Sequence, residues 1–145
     1  MKGSYALLIQ LPKEQTITIG SLKALHFPGG YYAYVGSAMS GFKTRISRHL
    51  RSNKKRHWHI DYLLEKAPIT GIILGETIDR AECAIAQALS RQFDSVPGFG
   101  CSDCKCHSHL FFSANEGQMK STIMATLKLR GMRPRLARIK KSELP

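Results

Sequence analysis

The hydrophobic positions in the first part of the chain follow the pattern of short β-strands. Residues 5–11 form an apolar, partly aromatic run that ends at Pro12, and residues 16–19 alternate polar and β-branched side chains. A third run, residues 31–35, follows a Pro-Gly-Gly turn and stops at Gly36. We expect the first two runs to form a hairpin and all three to begin an antiparallel sheet.

A helical pattern follows this region. Phe42, Ile46 and Leu50 recur at helical spacing with basic residues between them, which predicts a basic amphipathic helix. The pattern further along predicts a short helix over residues 60–66 and a buried strand over residues 71–74.

The remaining elements are predicted from helix signals and strand-forming residues. Asp79 and Glu82 have the spacing of a capping box, which predicts the start of a helix that runs to about residue 93. Residues 110–113 predict a strand, and residues 119–127 a last helix that Gly131 ends. The predicted class is α+β, with a small mixed or antiparallel central sheet of about three to five strands flanked by helices.

The length and composition predict one domain with a strongly basic surface. The chain has 145 residues, and 22 Lys and Arg against 10 Asp and Glu leave a net charge of +12. No acidic residue occurs from residue 15 to residue 60, a stretch that holds many of the basic ones. Clustering of this kind is typical of a surface that binds the phosphates of nucleic acid, although a generic cationic surface is the alternative.

Membrane and secretory functions are not indicated. No stretch approaches the roughly 20 apolar residues that span a bilayer, and no signal peptide is recognisable. Three of the four cysteines lie within six residues, which favours reduced thiols over a disulfide framework. We therefore expect a cytoplasmic protein.

Several residues whose side chains can take part in catalysis occur in a distinctive order along the chain. Gly3-Ser4-Tyr5 opens the first predicted strand and Tyr34-Val35-Gly36 closes the third; Arg45, His49 and Glu82 follow on predicted helices. This arrangement resembles the GIY-YIG nuclease superfamily. With residues 30–38, 57–62 and 98–109, it is more narrowly similar to a small stand-alone subfamily catalogued as a domain of unknown function. The resemblance covers residues 1–113 as a nuclease-like core, and residues 114–145 are expected to add a C-terminal helix and basic tail to the same domain.

The resemblance implies metal-dependent hydrolysis of phosphodiester bonds in DNA or structured nucleic acid. It places Tyr34 near the attacking water, with Tyr5 supporting or sharing that role. It also places Arg45 on the scissile phosphate and His49 in the same cleft. Glu82 would hold one divalent cation, and Mg²⁺ or Mn²⁺ suits a lone carboxylate completed by water and phosphate oxygens.

Substrate contacts are expected from one glycine and from the basic and imidazole side chains that follow it: Gly36, Lys43, Arg48, Arg51, Lys54, Lys55, Arg56, His57 and His59. For the two histidines, packing in a corner beside Trp58 is the alternative to contact with phosphate or metal. DNA is the favoured partner, and a second protein could supply substrate targeting.

The catalytic residues also have structural alternatives. Tyr5 and Tyr34 can be strand aromatics that pack a half-buried sheet. Glu82 can be the acidic member of the capping box, and Arg45 can be a solvated helix charge. A tyrosine is only about 0.1% ionised at pH 7, so Tyr34 can act as a base only if Arg45 or a metal lowers its pKa or shares the proton transfer.

A loop near the end of the core concentrates thiols and imidazoles. Cys101, Cys104, Cys106 and His109 can supply four ligands to zinc, which takes Cys and His ligands at tetrahedral angles. Because these donors lie within nine residues, four-point closure is sterically demanding, and reduced cysteines packed in a loop are the alternative.

Three hypotheses follow. The leading one is a metal-dependent endonuclease, the second is a non-catalytic nucleic-acid-binding module, and the third is a zinc-stabilised interaction domain.

Overall fold

Eight strands and four α-helices follow one another in the computed structural model, which describes residues 1–102, 104–137 and 144–145. The strands are β1 (Gly3–Leu11), β2 (Gln15–Thr18), β3 (Ala24–Phe27), β4 (Gly30–Ala38), β5 (Ile69–Glu76), β6 (Asp94–Ser95), β7 (Leu110–Ser113) and β8 (Arg133–Ala137). The helices are α1 (Phe42–Leu50), α2 (His59–Leu64), α3 (Glu82–Ser90) and α4 (Glu116–Leu129). The predicted α+β class is confirmed.

The main sheet has six strands in the order β6-β7-β4-β1-β5-β8, and every neighbouring pair is antiparallel. The predicted hairpin between the first two runs is wrong, because β1 pairs with β4 while β2 pairs with β3 in a separate ribbon. The physical reason lies in burial. β1 is buried along nearly its whole length and needs a long, apolar partner, whereas β2 has only four residues and exposes two of them.

Helices cover the sheet on both faces. Alternate residues of β1 point in opposite directions, so Tyr5, Leu7 and Ile9 enter one core and Ala6 and Leu8 enter the other. The first core is completed by apolar residues of α1, α2 and the β2–β3 ribbon, and the second by α3 and α4. The sheet is therefore the middle layer of a three-layer domain.

The start of α3 differs from the prediction. The helix begins at Glu82, its N-cap residue is Ala81, and within the described part of the chain no side chain caps it. Asp79 lies before the helix, where its backbone N–H donates to Oγ1 of Thr77. The predicted capping box is therefore wrong, and the Glu82 carboxylate is not used to close the helix start.

The C-terminal part adds a helix and an edge strand. As predicted, α4 ends near Gly131, which has a φ of 78°, and the N–H of Met132 donates to the carbonyl of Leu127. β8 then pairs with β5 at the sheet edge, where Pro134 is tolerated. Residues 138–143 of the predicted basic tail lie outside the described residues. Among the helices of the described part, none combines the length and apolar character required to cross a membrane.

The N-terminus of α4 offers a test of the fold. Asn115 Oδ1 accepts a hydrogen bond of 2.9 Å from the backbone N–H of Gln118. Replacing Asn115 by Ala removes this cap, and we expect a loss of about 1 kcal/mol in the free energy of unfolding. Urea unfolding followed by circular dichroism measures the loss. Asn53→Ala, at an exposed loop position, is the matched control, and equal stability of the two variants would contradict the capping role.

Candidate functional site

Tyr5 lies across a glycine at one end of the β1–β4 pair. Tyr5 and Gly36 are directly opposite in the strand register, and a Cβ atom at position 36 would overlap the Tyr5 ring. The Tyr5 hydroxyl is 2.6 Å from Nε2 of His49 on α1. Gly36 therefore serves the site by leaving room for Tyr5, and the close pair Tyr5–His49 links the sheet to α1.

His49 is buried among aromatic rings. Its ring centroid lies 5.5 Å from that of Tyr5, 6.1 Å from that of Tyr34 and 5.9 Å from that of Trp58. Burial, together with the nearby positive charge of Lys54, lowers the pKa of His49 to about 3. The imidazole is therefore neutral at physiological pH. Its Nδ1 is buried and has no hydrogen-bond partner among the described residues.

Tyr34 is the more accessible of the two candidate tyrosines. Tyr34 is half-buried, whereas only 2% of Tyr5 is exposed. Burial raises the pKa of both hydroxyl groups above the ordinary value, and it outweighs the opposing effect of the Arg45 guanidinium. Arg45 alone therefore does not convert either tyrosine into a base at neutral pH.

Arg45 lines a cleft at this end of the sheet. The cleft has a volume of about 340 Å³ and is lined by Ser37, Met39, Ser40, Arg45 and Arg80. The Arg45 guanidinium carbon lies 4.6 Å from the centre of the ring of Trp58, the N-cap residue of α2. The arginine therefore stacks on the tryptophan in a cation–π contact. This placement gives a cation that an anionic group can reach and that packing holds in position.

Glu82 is the first residue of α3, which covers the face of the sheet opposite to α1 and α2. Its Oε1 lies 3.9 Å from Nη1 of Arg80, which lines the same cleft as Arg45. Its Oε2 is buried and has no hydrogen-bond partner within the described part of the chain. A carboxylate oxygen in this condition is suited to a divalent cation, because an unpaired buried carboxylate oxygen is otherwise costly.

Three of the predicted substrate-binding residues are occupied by structural contacts. Arg48 donates from both guanidinium nitrogens to the buried Asp61 carboxylate, at 2.9 Å each. Lys54 Nζ donates to the His49 carbonyl oxygen at 2.7 Å, and His59 Nδ1 accepts a 2.9 Å hydrogen bond from the N–H of Gly100. These contacts join α1 to α2 and to the loop between them, and they join α2 to the loop before β7. The three side chains are therefore less available to a substrate.

Asp61 is the anion on which this network depends. Besides Arg48, it accepts hydrogen bonds from the backbone N–H groups of His57 and Trp58 at 2.8 and 2.9 Å. Burial by itself would raise the pKa of Asp61, but the Arg48 contact and the two backbone donors lower it to about 2. The sequence reading did not select Asp61, although its position three residues after Trp58 at a helix start was visible.

The remaining basic residues form a surface beside the site. Lys43, Arg51, Lys55, Arg56 and His57 are exposed. Arg51, Lys54 and Arg56 line two adjoining clefts of about 590 and 400 Å³, which we name the basic groove. The larger cleft shares only His49 with the candidate catalytic residues, and it has no lining residue in common with the Arg45 cleft.

A separate cluster of metal-binding side chains lies on the α3 face. One ligand atom from each of Cys83, Cys104, Cys106 and His109 lies within 4.8 Å of the others, and the group can hold a metal ion. Cys101 lies outside it and donates to the Phe99 carbonyl at 3.4 Å. The sequence reading missed Cys83 because it is far from the loop along the chain. Burial and nearby thiols raise the pKa of Cys83 and Cys101 to about 12.

Comparison with protein families gives one match. The family model described as "Domain of unknown function DUF123" matches residues 4–132 of this chain. The chain belongs to this DUF123 family. Searches of curated proteins and of solved structures found no significant match.

The buried neutral His49 makes stability dependent on pH. An unfolded histidine takes up a proton near pH 6.5, whereas His49 in the folded protein does so only near pH 3. The unfolded state therefore binds more protons between these values, and stability falls as pH falls. The expected contribution of His49 is a loss of about 2 kcal/mol between pH 7 and pH 5.

Urea unfolding at pH 7, 6 and 5 measures this dependence. We expect His49→Gln to lose less stability on acidification than the wild type does. His26→Gln, which changes an exposed histidine, should keep the wild-type dependence. The same pH dependence in wild type and His49→Gln would show that His49 does not make this contribution.

Proposed function

We propose that this DUF123 protein is a metal-dependent endonuclease of the GIY-YIG type that hydrolyses phosphodiester bonds in DNA or structured nucleic acid. The observation that carries the proposal is the convergence of Tyr5, Tyr34, Arg45 and His49 at one end of the β1–β4 pair, beside the cleft that Arg45 lines. Hydrolysis of a phosphodiester needs a positioned water and a cation for the phosphoryl oxygens. Tyr34 and Arg45 are the groups best placed for these tasks.

The tyrosines have different parts in this proposal. We assign the orientation of the attacking water to Tyr34, because Tyr34 is half-buried as a residue whereas Tyr5 is almost fully buried. Tyr5 is a positioning residue, since its buried hydroxyl is paired with the neutral His49 imidazole. Arg45 binds the scissile phosphate and stabilises the negative charge that develops on its oxygens.

Glu82 completes the proposed site as the holder of one divalent cation. Its unpartnered, buried Oε2 and its contact with Arg80 at the rim of the cleft support this role. Mg²⁺ or Mn²⁺ fits a hard oxygen donor and would supply charge stabilisation and a more acidic water. That acidification matters here because burial keeps the protons on Tyr5 and Tyr34.

The charge of the protein supports a nucleic-acid substrate. The net charge is +12, and the basic groove lies on the same side of the sheet as α1 and α2. We propose that the groove binds the phosphate backbone beside the cleavage site. Contacts of this kind carry affinity without base readout, so the DUF123 protein would recognise the form of the nucleic acid more than its sequence.

Cleavage assays test the catalytic assignment. Wild type, Arg45→Ala and Glu82→Gln are incubated with labelled duplex, nicked, flapped and four-way DNA and with RNA, with added Mg²⁺, with added Mn²⁺ or with neither ion. We expect metal-dependent cleavage by the wild type and a loss of about 100-fold or more in each variant, because each removes charge stabilisation at the reacting phosphate. Arg91→Ala and Glu116→Gln, whose residues flank the strands at the other end of the sheet, are the matched controls.

Two results of the cleavage assays would contradict the proposed site or activity. If the folded wild type binds these nucleic acids but cuts none of them with either metal, the endonuclease proposal is wrong and the binding-module hypothesis replaces it. Cleavage that survives in both Arg45→Ala and Glu82→Gln would show instead that the reaction occurs at another site.

The salt dependence of binding tests the groove. Each phosphate neutralised by a cationic side chain contributes a slope of about −0.9 to log affinity against log salt on duplex DNA. The double variant Arg51→Ala/Lys55→Ala should therefore have a slope shallower by about 2 in magnitude. Fluorescence anisotropy without added Mg²⁺ or Mn²⁺ measures the slope without cleavage. Lys13→Ala/Lys128→Ala removes the same charge from exposed positions elsewhere; equal slopes in the two double variants would exclude the groove.

A further inference from the structure

We infer that Cys83, Cys104, Cys106 and His109 form a tetrahedral zinc site that fastens the start of α3 to the loop before β7. The zinc site itself does not depend on the proposed hydrolysis. Its consequence for the proposed active site is that Glu82, the residue next to Cys83, is held in a fixed position.

The distances within the cluster are those of a tetrahedral site before the metal is added. Zinc bonds of about 2.3 Å to sulfur and about 2.0 Å to nitrogen place tetrahedral ligand atoms about 3.5–3.8 Å apart. His109 Nε2 is 3.3 Å from Cys104 Sγ and 3.9 Å from Cys83 Sγ. All four ligand atoms lie within 4.8 Å of one another, so only small side-chain adjustments are needed to bind the ion.

His109 is held in the tautomer that metal binding requires. Its Nδ1 lies 3.1 Å from the Val35 carbonyl oxygen, and a carbonyl can only accept, so Nδ1 carries the proton. The lone pair is then on Nε2, the atom that faces the cysteines. A backbone carbonyl that orients a ligating histidine in this way is a common feature of zinc sites and is independent of the sulfur positions.

The donor set selects the metal. Three thiolates and one imidazole are soft or borderline ligands that favour zinc, whereas Mg²⁺ and Mn²⁺ favour oxygen. A set of four protein ligands leaves no open position for a reacting water, so the site is structural. One of the four ligands, Cys83, lies on α3 and not in the loop. The loop therefore does not have to supply all four ligands within residues 101–109, and the steric difficulty of such a site does not arise.

The ligands join two separate parts of the fold, and hydrogen bonds of His109 link them to β4. Cys83 is the second residue of α3, Cys104 and Cys106 lie in the loop before β7, and His109 directly precedes β7. The His109 carbonyl also accepts a 3.0 Å hydrogen bond from the Val35 N–H, so this ligand is attached to β4 by both its ring and its backbone. Since no side chain of the described residues caps α3, the zinc ligand Cys83 anchors a helix start that has no side-chain cap of its own.

Metal analysis and cobalt substitution test the site directly. Protein purified without chelators should contain one equivalent of zinc by mass spectrometry of the metal. Replacement by Co²⁺ should give the absorption of tetrahedral cobalt with thiolate charge-transfer bands. Cys83→Ser should weaken zinc binding by about 100-fold or more, because it removes a ligand, and Cys101→Ser is the matched control that should retain wild-type binding.

Hydrogen exchange tests the proposed consequence in the wild-type chain. Removal of zinc should speed amide exchange in the first turn of α3 and in residues 104–109, and much less in α4. This comparison needs no variant, so it remains decisive if Cys83→Ser folds poorly. Both measurements are independent of cleavage, so the zinc site can stand or fall separately from the endonuclease proposal.

Three results would overturn the inference. Wild-type protein that binds no zinc, even when supplied with it under reducing conditions, would exclude the site. Loss of zinc in Cys101→Ser with retention in Cys83→Ser would place the ligands within the loop. Unchanged exchange at the start of α3 after zinc removal would exclude its anchoring by the metal.

Discussion

The central constraint on this structure is the burial of β1 on both of its faces and both of its edges. β4 and β5 occupy its edges, and separate cores cover its faces. A shift of one residue in its register would move every side chain to the wrong core. The observed register therefore places Tyr5 opposite Gly36, where the absence of a side chain lets the tyrosine ring lie across the neighbouring strand.

The electrostatics of the candidate site follow from the same burial. Tyr5 and His49 are deep enough that both remain neutral, and they form a short hydrogen bond in place of an ion pair. Arg45 supplies a charged group that reaches the cleft, and its guanidinium rests on Trp58. The buried Asp61 carboxylate is paired with Arg48, and this pair fixes α1 against the start of α2. Such a site offers fixed cationic charge to an anion, while the Tyr5–His49 pair stays uncharged.

The start of α3 brings two kinds of metal chemistry into adjacent positions. Glu82 offers a hard carboxylate oxygen that has no hydrogen-bond partner among the residues the structure describes, whereas Cys83 belongs to a cluster of soft donors that already face one another. The preference of Mg²⁺ for oxygen and of zinc for sulfur keeps the two proposed roles apart. In these proposals, Mg²⁺ or Mn²⁺ on Glu82 would take part in hydrolysis, and zinc on Cys83 would hold the backbone that carries Glu82.

The sequence by itself determined the elements whose signals are local: the α+β class, the basic helix α1, the strand Leu110–Ser113 and the end of α4 near Gly131 are all as predicted. It also determined the order of Tyr5, Tyr34, Arg45, His49 and Glu82, and the likeness to a family of unknown function that the DUF123 match confirms. These features depend on periodicity, turn residues and spacing, which are properties of neighbouring residues.

Only the tertiary structure decided which of these residues meet. It paired β1 with β4, left Asp79 outside α3, and replaced Cys101 by Cys83 in the metal-binding group. It also placed Arg48, Lys54 and His59 in contacts within the protein, although their basic and imidazole side chains are of a type that can bind a phosphate. The reason is that strand pairing, burial and ligand geometry depend on the simultaneous packing of segments distant along the chain, and no local pattern specifies that packing.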